Sequence, residues 1–354
     1  MTLITADKTN WPLLKGKYGL TCSVDDELFF VPNMLATPSM TARAVITLSS
    51  YLVEVSKVKL REKHDLLINT SGEVINFMED VAYINAVPMR LAFKYPASLP
   101  ITNKWWRCYS RVYDLFLKTV DGLNGNVLLL TNSKFLEAII SKHLRRQALV
   151  IYPPVDVAKF TPLFDRRERK NLVVTVSRFR PGKNLEVIPK IAKHVVNSKF
   201  LIIGPSDKAS ETTINKLTGL ARSLGVQDKV QFLTNEPQSV LLQILSEAKV
   251  LLHTQFFEAF GMSVVEAMAA GCVPLVPNIG GPWLDILDQA HGTCGYSYGS
   301  LAEAAEKIEL LLENEALRHR ISARANKRAA TFATPLFERT ISRVVEKVYS
   351  NKAR

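Results

Sequence analysis

The sequence lacks the motifs that most often identify nucleotide chemistry. Its 354 residues contain no G-x-G, so the dinucleotide fingerprint is absent, and no G-x-x-x-x-G-K, so there is no P-loop. There is also no D-x-D, the obvious carboxylate pair for holding a metal-bound diphosphate. If the protein binds a nucleoside diphosphate, basic side chains and backbone N–H groups must hold its charge, and we expect no metal site.

Hydrophobic runs and cysteines are also sparse. No apolar stretch approaches roughly 18 residues, so the sequence predicts no membrane-spanning helix. The four cysteines are scattered without metal-ligand spacing, which fits a reducing cytoplasm better than a disulfide scaffold. The first residues show no basic-then-apolar pattern, so we expect no signal peptide and a cytoplasmic location.

Positive charge is in excess, with a net charge of +12 that is spread along the chain. A basic surface favours an anionic partner, although solubility alone would also explain it. No recognition motif accompanies the basic helical stretch 318–328, so we expect no nucleic acid partner. The aromatic and basic stretch 104–118 predicts either contact with an anionic membrane surface, as a peripheral protein, or a core helix with a basic outer edge.

The pattern of hydrophobic runs predicts an α/β protein, and the length favours two domains. Short apolar runs that alternate with helical patterns predict a parallel sheet covered on both faces, with ligands beyond the carboxyl ends of its strands. In the second half these runs fall at 171–176, 199–204, 230–233, 248–254 and 272–276. The predicted organisation is a first Rossmann-like domain at 1–156, a linker at 157–170, a second domain at 171–332 and a closing helix at 333–354 that packs back on the first domain.

A basic loop follows the first predicted strand of the second half. The segment VSRFRPGKN (176–184) places Arg178, Arg180 and Lys183 at the carboxyl end of a strand and at the start of a predicted helix. Cationic side chains beside a helix N-terminus make an anion site, because the N–H groups there are unpaired. The alternative is a solvated basic loop.

Two glutamates eight positions apart lie in the apolar stretch HTQFFEAFGMSVVEAMAAG (253–271). Glu258 lies in the predicted loop, where a carboxylate in apolar company needs partners such as sugar hydroxyls. Glu266 lies in the first helical turn, where Ser263-x-x-Glu266 predicts a capping box that needs no ligand. A lone histidine such as His253, just before this loop, is more often structural than functional.

In combination these motifs resemble the retaining GT-B glycosyltransferases of family 4. The resemblance covers about residues 148–290 and includes the E-x7-E pair, the basic loop and the GGP at 280–282. It implies two Rossmann-like domains that face each other across a cleft, and transfer of a sugar from a nucleotide-sugar donor to an acceptor hydroxyl with retention and without a metal or other cofactor. GDP-mannose is favoured by the resemblance, UDP-sugars remain open, and the acceptor would be a lipid-linked or cell-envelope glycan.

The resemblance also assigns roles to individual residues. It implies that Glu258 contacts hydroxyls of the donor sugar, that Glu266 contacts the ribose, and that Arg178 and Lys183 hold the diphosphate. The remaining positions expected in the donor site are Phe260, Gly261, Met262 and Gly204.

Three features depart from the family pattern. Asn85 stands where relatives often have a histidine that could act as an acid or base, and Asp285 stands near the place of a glutamate. Residues 2–11 resemble the second strand of the family, so we expect the first strand, Gly-rich loop and helix of the N-terminal domain to be missing. The alternatives are a relative that binds nucleotide sugar with impaired transfer, or a GT-B epimerase.

Overall fold

The computed structural model describes residues 2–5, 9–12, 24–29, 64–70, 79–88, 91, 127–164 and 168–352. The chain divides into two compact units, residues 1–67 and 68–354. In the first unit, strand β1 (Thr2–Thr5) pairs in parallel with β2 (Asp26–Phe29). The aromatic and basic stretch at 104–118 lies outside the described residues.

The second unit contains two parallel sheets. The four-stranded sheet has the order β3-β4-β5-β6 and the six-stranded sheet the order β12-β11-β10-β7-β8-β9. The strands of the first are β3 (Ile68–Asn69), β4 (Val81–Ile84), β5 (Leu128–Thr131) and β6 (Leu149–Val150). Those of the second are β7 (Lys170–Val176), β8 (Lys199–Gly204), β9 (Val230–Thr234), β10 (Ala248–Leu252), β11 (Val273–Pro277) and β12 (Tyr296–Tyr298). The predicted α/β class, parallel pairing and strand positions of the second half are confirmed.

The six-stranded sheet is buried on both faces. Successive side chains of a strand point to opposite sides of the sheet, so each strand contributes to two hydrophobic cores. Val173 and Val250 belong to one hydrophobic core, whereas their neighbours Val174 and Leu251 belong to the other. Strands buried in this way read as continuous apolar runs, which is why the sequence pattern located them.

Nine helices of the described residues cover these sheets or connect them. They are α1 (Lys134–Leu144), α2 (Val157–Phe160), α3 (Val187–Ala192), α4 (Lys208–Ser223), α5 (Gln238–Glu247), α6 (Met262–Ala269), α7 (Leu301–Glu313), α8 (Glu315–Ala329) and α9 (Thr334–Lys352). None of the helices in these ranges is long and apolar enough to cross a membrane.

The last helix packs on the four-stranded sheet. Phe337 and Ile341 of α9 pack against the buried Val81 and Leu130 of that sheet, and Lys352 pairs with Asp80 at 3.0 Å. The predicted domain boundaries at 156 and 170 stay predictions, although this contact is the one expected for a closing helix.

Arg169 joins the segment before β7 to the ends of two helices. Its guanidinium donates hydrogen bonds to the carbonyl oxygens of Leu245 at 2.9 Å, Ala248 at 2.8 Å and Leu163 at 3.2 Å, and also to that of Ala270. Leu245 and Ala270 lie at the carboxyl-terminal ends of α5 and α6. A cation there is favourable, since the last carbonyls of a helix carry partial negative charge.

We expect Arg169→Met to lower the free energy of unfolding by roughly 3 kcal/mol, because it leaves several carbonyls without a donor. Denaturant unfolding followed by circular dichroism measures the change. The matched control is Arg320→Met, since Arg320 is exposed on α8. An equal effect of the two variants would contradict the structural role of Arg169.

Candidate functional site

Two loops meet at the carboxyl edge of the six-stranded sheet. The loop after β7 and the loop after β10 follow neighbouring strands, because β7 and β10 are paired in parallel. They are held together by a hydrogen bond from Thr254 Oγ1 to the Lys183 carbonyl at 2.7 Å and by one from Asn184 Nδ2 to the Thr254 carbonyl at 3.3 Å. The site therefore lies at the edge where parallel sheets bind their ligands.

Lys183 and Glu258 form an ion pair between these loops. The Lys183 ammonium lies 3.1 Å from Glu258 Oε2, and each side chain is 22% exposed. The same ammonium also donates to Gln255 Oε1. The structure thus brings together two residues predicted for the site and adds Gln255, which the sequence analysis missed. Gln255 could have been noticed because it follows β10 at the same edge as Lys183.

Electrostatics keep Glu258 ionised. Burial by itself would raise the pKa of the Glu258 carboxyl, but the nearby Lys183 ammonium, His253 and the Ala259 N–H hold the pKa below its usual value. A charged carboxylate accepts hydrogen bonds only, so Glu258 is suited to groups that donate them, such as sugar hydroxyls.

His253 is buried beside this pair. Burial lowers the pKa of its ring to about 4, so the imidazole is neutral at physiological pH. Its carbonyl accepts a hydrogen bond from the Tyr298 hydroxyl at 2.9 Å, and its N–H donates to Leu275. Its Nε2 atom has no hydrogen-bond partner among the described residues. These backbone contacts fit the structural interpretation of His253 without assigning a role to the ring.

The arginines of the basic loop have different surroundings. Arg180 forms an ion pair with Asp207, the residue that caps the N-terminus of α4. Arg178 is exposed and makes no side-chain hydrogen bond or ion pair with any residue that the structure describes. Of the two, Arg178 is therefore the one available to an anion. The expectation that this loop opens directly into a helix is wrong, because Pro181–Lys183 forms a 3-10 turn before α3.

Gly204 ends β8 next to this loop. A Cβ atom on Gly204 would lie 2.7 Å from the carbonyl carbon of Ser177. The glycine is thus required for the close approach of the two backbones beside Arg178. At this position only backbone atoms can contact a ligand.

Phe260 contributes to the core and not to the site surface. It is 2% exposed, and its ring lies 5.7 Å from that of Tyr152 and 5.3 Å from that of Phe332. Only its backbone could reach a ligand. Next to it, Gly261 adopts a φ of +99° and begins α6 without any side-chain cap, and Met262 is 45% exposed at the first helical position.

The predicted capping box at Ser263 and Glu266 is wrong. The helix begins two residues earlier than a Ser263 cap requires, because Gly261 is the N-cap residue. Glu266 instead faces α2, where burial raises the pKa of its carboxyl, the Lys159 charge lowers it and the Asp156 charge raises it further. No hydrogen bond of the Glu266 side chain is formed within the described residues. The first N–H groups of α6 and the Glu266 carboxyl therefore remain available to a ligand.

The glycines of GGP support the loop of Glu258 from behind. The Gly281 N–H donates to the Glu258 carbonyl at 2.8 Å. A Cβ on Gly281 would lie 2.7 Å from the carbonyl carbon of Ala259 and 2.8 Å from Cα of Phe260. Only a residue without a side chain permits this contact.

Asp285 lies outside this cluster. It is fully buried and accepts hydrogen bonds from the N–H groups of Lys134 at 2.6 Å and Phe135 at 3.2 Å. Burial raises the pKa of its carboxyl, while these donors lower it. Asp285 thus caps α1 and links the GGP segment to the four-stranded sheet, a role that no sequence signal indicated.

Comparison with solved structures defines the class of fold. The chain superposes on sucrose-phosphate synthase from Thermosynechococcus elongatus with a TM-score of 0.73 at 16% identity, covering 92% of this chain and 84% of that one. It superposes on Anabaena Alr3699/HepE, solved with UDP and glucose, with a TM-score of 0.71 at 14% identity, covering 98% and 91%. The fold is therefore GT-B, as the sequence predicted.

Sequence comparison finds similar proteins among the glycosyltransferases. Residues 160–328 match the profile described as Glycosyl transferases group 1. The human GDP-Man:Man(3)GlcNAc(2)-PP-Dol alpha-1,2-mannosyltransferase is 35% identical over 252 residues, which are 66% of this chain and 51% of the relative. The Dictyostelium discoideum protein of the same name is 31% identical over 226 residues, or 59% and 43%. The chain spans about half the length of the curated relatives it matches.

Gly281→Ala tests the close contact behind Glu258. We expect it to lower the free energy of unfolding by roughly 2 kcal/mol, because its Cβ would overlap the backbone of Ala259. Gly219→Ala is the matched control: Gly219 lies inside α4 with nothing within 4 Å of its added Cβ, so it should stabilise by about 0.5–1 kcal/mol. Chemical denaturation measures both, and shifts of the same sign would contradict the contact.

Glu266→Gln tests whether Glu266 is a buried carboxylate outside any capping box. Since burial raises the pKa of this carboxyl in the folded chain, its charged form costs stability, and the wild type loses stability as pH rises through that pKa. The amide does not titrate, so the variant should be more stable than the wild type near about pH 8 and should lose that advantage as pH falls. Thermal unfolding of both proteins, measured from about pH 8 downwards, compares their stabilities. A variant less stable than the wild type near about pH 8 would contradict this account.

Proposed function

We propose that the chain is a retaining hexosyltransferase that transfers a sugar, with mannose favoured, from a nucleotide-sugar donor to an acceptor hydroxyl. GDP-mannose is the preferred donor, and a lipid-linked or cell-envelope glycan is the acceptor. The observation that carries the proposal is the Lys183–Glu258 pair at the carboxyl edge of the sheet, inside a glycosyl transferases group 1 domain. The likeness to the curated mannosyltransferases supports mannose as the sugar.

The arrangement of charges suits a donor that carries a diphosphate. Lys183 and the exposed Arg178 supply cations beside the end of β7, and the uncapped N-terminus of α6 adds unpaired N–H groups. Transfer of the sugar leaves negative charge on the diphosphate, and groups already held in place stabilise that charge as it develops. This chemistry requires no metal ion, and metal independence is part of the proposal.

The two glutamates would divide the rest of the donor between them. Glu258, kept ionised by Lys183, accepts hydrogen bonds from the sugar hydroxyls. Glu266, which lies eight positions further along the chain and belongs to α6, accepts hydrogen bonds from the ribose hydroxyls. Neither glutamate is proposed as a nucleophile, and we assign no nucleophile among the described residues.

Location and acceptor are also proposals. A lipid-linked acceptor places the protein at the cytoplasmic face of a membrane as a peripheral protein, with the anionic surface as a partner. On the acceptor side, Asn85 cannot act as an acid or base. It is exposed after β4, and its backbone carbonyl accepts a hydrogen bond from Asn132 Nδ2 at 2.8 Å.

Donor binding and transfer test the proposal. The purified protein is titrated with GDP-mannose, UDP-sugars and the bare nucleoside diphosphates, and transfer to lipid-linked oligosaccharide is followed by mass spectrometry. Lys183→Ala should weaken binding of both diphosphate and nucleotide sugar about ten- to a hundredfold, the value of a charged hydrogen bond. Glu258→Gln should bind the bare diphosphate normally and the nucleotide sugar poorly. Lys190→Ala, on the exposed side of α3, is the control.

Each outcome separates the proposal from its rivals. Donor hydrolysis without a glycoside product would support a relative with impaired transfer, and an epimerised donor would identify an epimerase. Loss of donor binding in EDTA would contradict metal independence. A wild-type protein that binds none of these nucleotides would overturn the proposed function.

A further inference from the structure

Gln255 is a buried polar residue in the centre of the candidate donor site. Its side chain is 9% exposed, and its Oε1 accepts a hydrogen bond from the Lys183 ammonium. The same ammonium lies 3.1 Å from Glu258 Oε2. Gln255 and Glu258 therefore both fix the position of the Lys183 ammonium. The roles predicted for the site residues include none for Gln255.

The number of N–H donors on the Lys183 ammonium determines how many further acceptors it can bind. Lysine carries three N–H donors. Two of them are used by Gln255 and Glu258, which leaves one for an external acceptor. Lysine also has a flexible stem whose ordering costs conformational entropy, and two acceptors in fixed loops already order this stem before a ligand arrives.

The loop that carries Gln255 is itself fixed against the loop that carries Lys183. Thr254, its neighbour, donates to the Lys183 carbonyl at 2.7 Å, and Asn184 donates back to the Thr254 carbonyl at 3.3 Å. The distance between the amide of Gln255 and the stem of Lys183 is therefore set by the backbone, not by side-chain rotation alone.

We propose that Gln255 is a positioning residue of the donor site, which holds the Lys183 ammonium so that its third N–H donor meets the diphosphate of the nucleotide. This inference rests on the proposed function, since the diphosphate is the part of the donor that it concerns. Gln255 acts through Lys183 and touches neither the sugar nor the base.

The Gln255 amide suits this positioning role because it is uncharged. Lys183 and Glu258 together carry no net charge, so an uncharged acceptor adds none. A second carboxylate at position 255 would keep the hydrogen bond to Lys183 but would give the three side chains a net negative charge. That charge would repel a diphosphate.

Two isosteric variants separate the hydrogen bond from the charge. Gln255→Met keeps the length of the side chain and removes the acceptor, while Gln255→Glu keeps the acceptor and adds charge. Calorimetric titration with GDP, and with UDP in parallel, measures diphosphate affinity, and guanosine or uridine serves as the ligand without phosphate. We expect Gln255→Met to weaken diphosphate binding about five- to tenfold and Gln255→Glu to weaken it more, with nucleoside affinity unchanged in both.

The comparison with guanosine and uridine distinguishes positioning from a structural role. A Gln255 that only stabilises the fold would lower thermal stability and the affinity for nucleoside and diphosphate alike, which would overturn the inference. Diphosphate binding at wild-type strength in Gln255→Met, with loss in Lys183→Ala, would also overturn it and leave the proposed function standing. Should Gln255→Met not fold, Gln255→Glu decides by itself, because wild-type GDP affinity in that variant contradicts the charge requirement. A wild-type protein that binds neither GDP nor UDP refutes the proposed function and this inference with it.

Discussion

The close contact between two backbone segments determines the shape of the candidate donor site. Gly280 and Gly281 lie directly against the loop that carries Glu258, and the Gly281 N–H donates to the Glu258 carbonyl at 2.8 Å. No side chain fits between these segments, so the loop has one position relative to the sheet. Pro282 and the π-helix that follows continue from these glycines to Asp285, which caps α1. The loop of Glu258 and the four-stranded sheet are therefore connected through one short segment.

The ion pair depends on this fixed loop. An exposed pair of lysine and glutamate contributes little stability, but the side chains here are only 22% exposed and both belong to loops held by further hydrogen bonds. Partial burial strengthens the attraction, and this attraction lowers the pKa of Glu258 against the opposing effect of desolvation, which raises it. The charges of the site are therefore already in place before a donor binds, and this preorganisation reduces the free energy that binding must spend on rearranging the site.

The sequence predicted the strands of the six-stranded sheet because strands buried on both faces are continuous apolar runs. It also placed Lys183 and Glu258 each at the carboxyl end of a strand, and the resemblance assigned both to the donor site, but the contact between them is seen only in the structure. It could not show which arginine is free, because that depends on Asp207 at the start of α4. The capping box failed because Gly261, which has a positive φ, is the N-cap residue, so α6 begins two residues earlier than the S-x-x-E pattern requires. Side-chain roles set by distant contacts, such as those of Asp285 and Arg169, have no local pattern.

The linking segment before β7 is connected to the site as well as to the core. Glu266 of α6 is influenced by the charges of Lys159 and Asp156, which lie in and just before α2. Arg169 binds the Leu163 carbonyl and the end of α6 at Ala270. The two ends of α6 are therefore held differently: the first turn has no side-chain cap, and the last is fixed by a guanidinium. A short helix fixed at its carboxyl end keeps its N-terminal N–H groups pointing in a constant direction, which is the property that an anion site at that end requires.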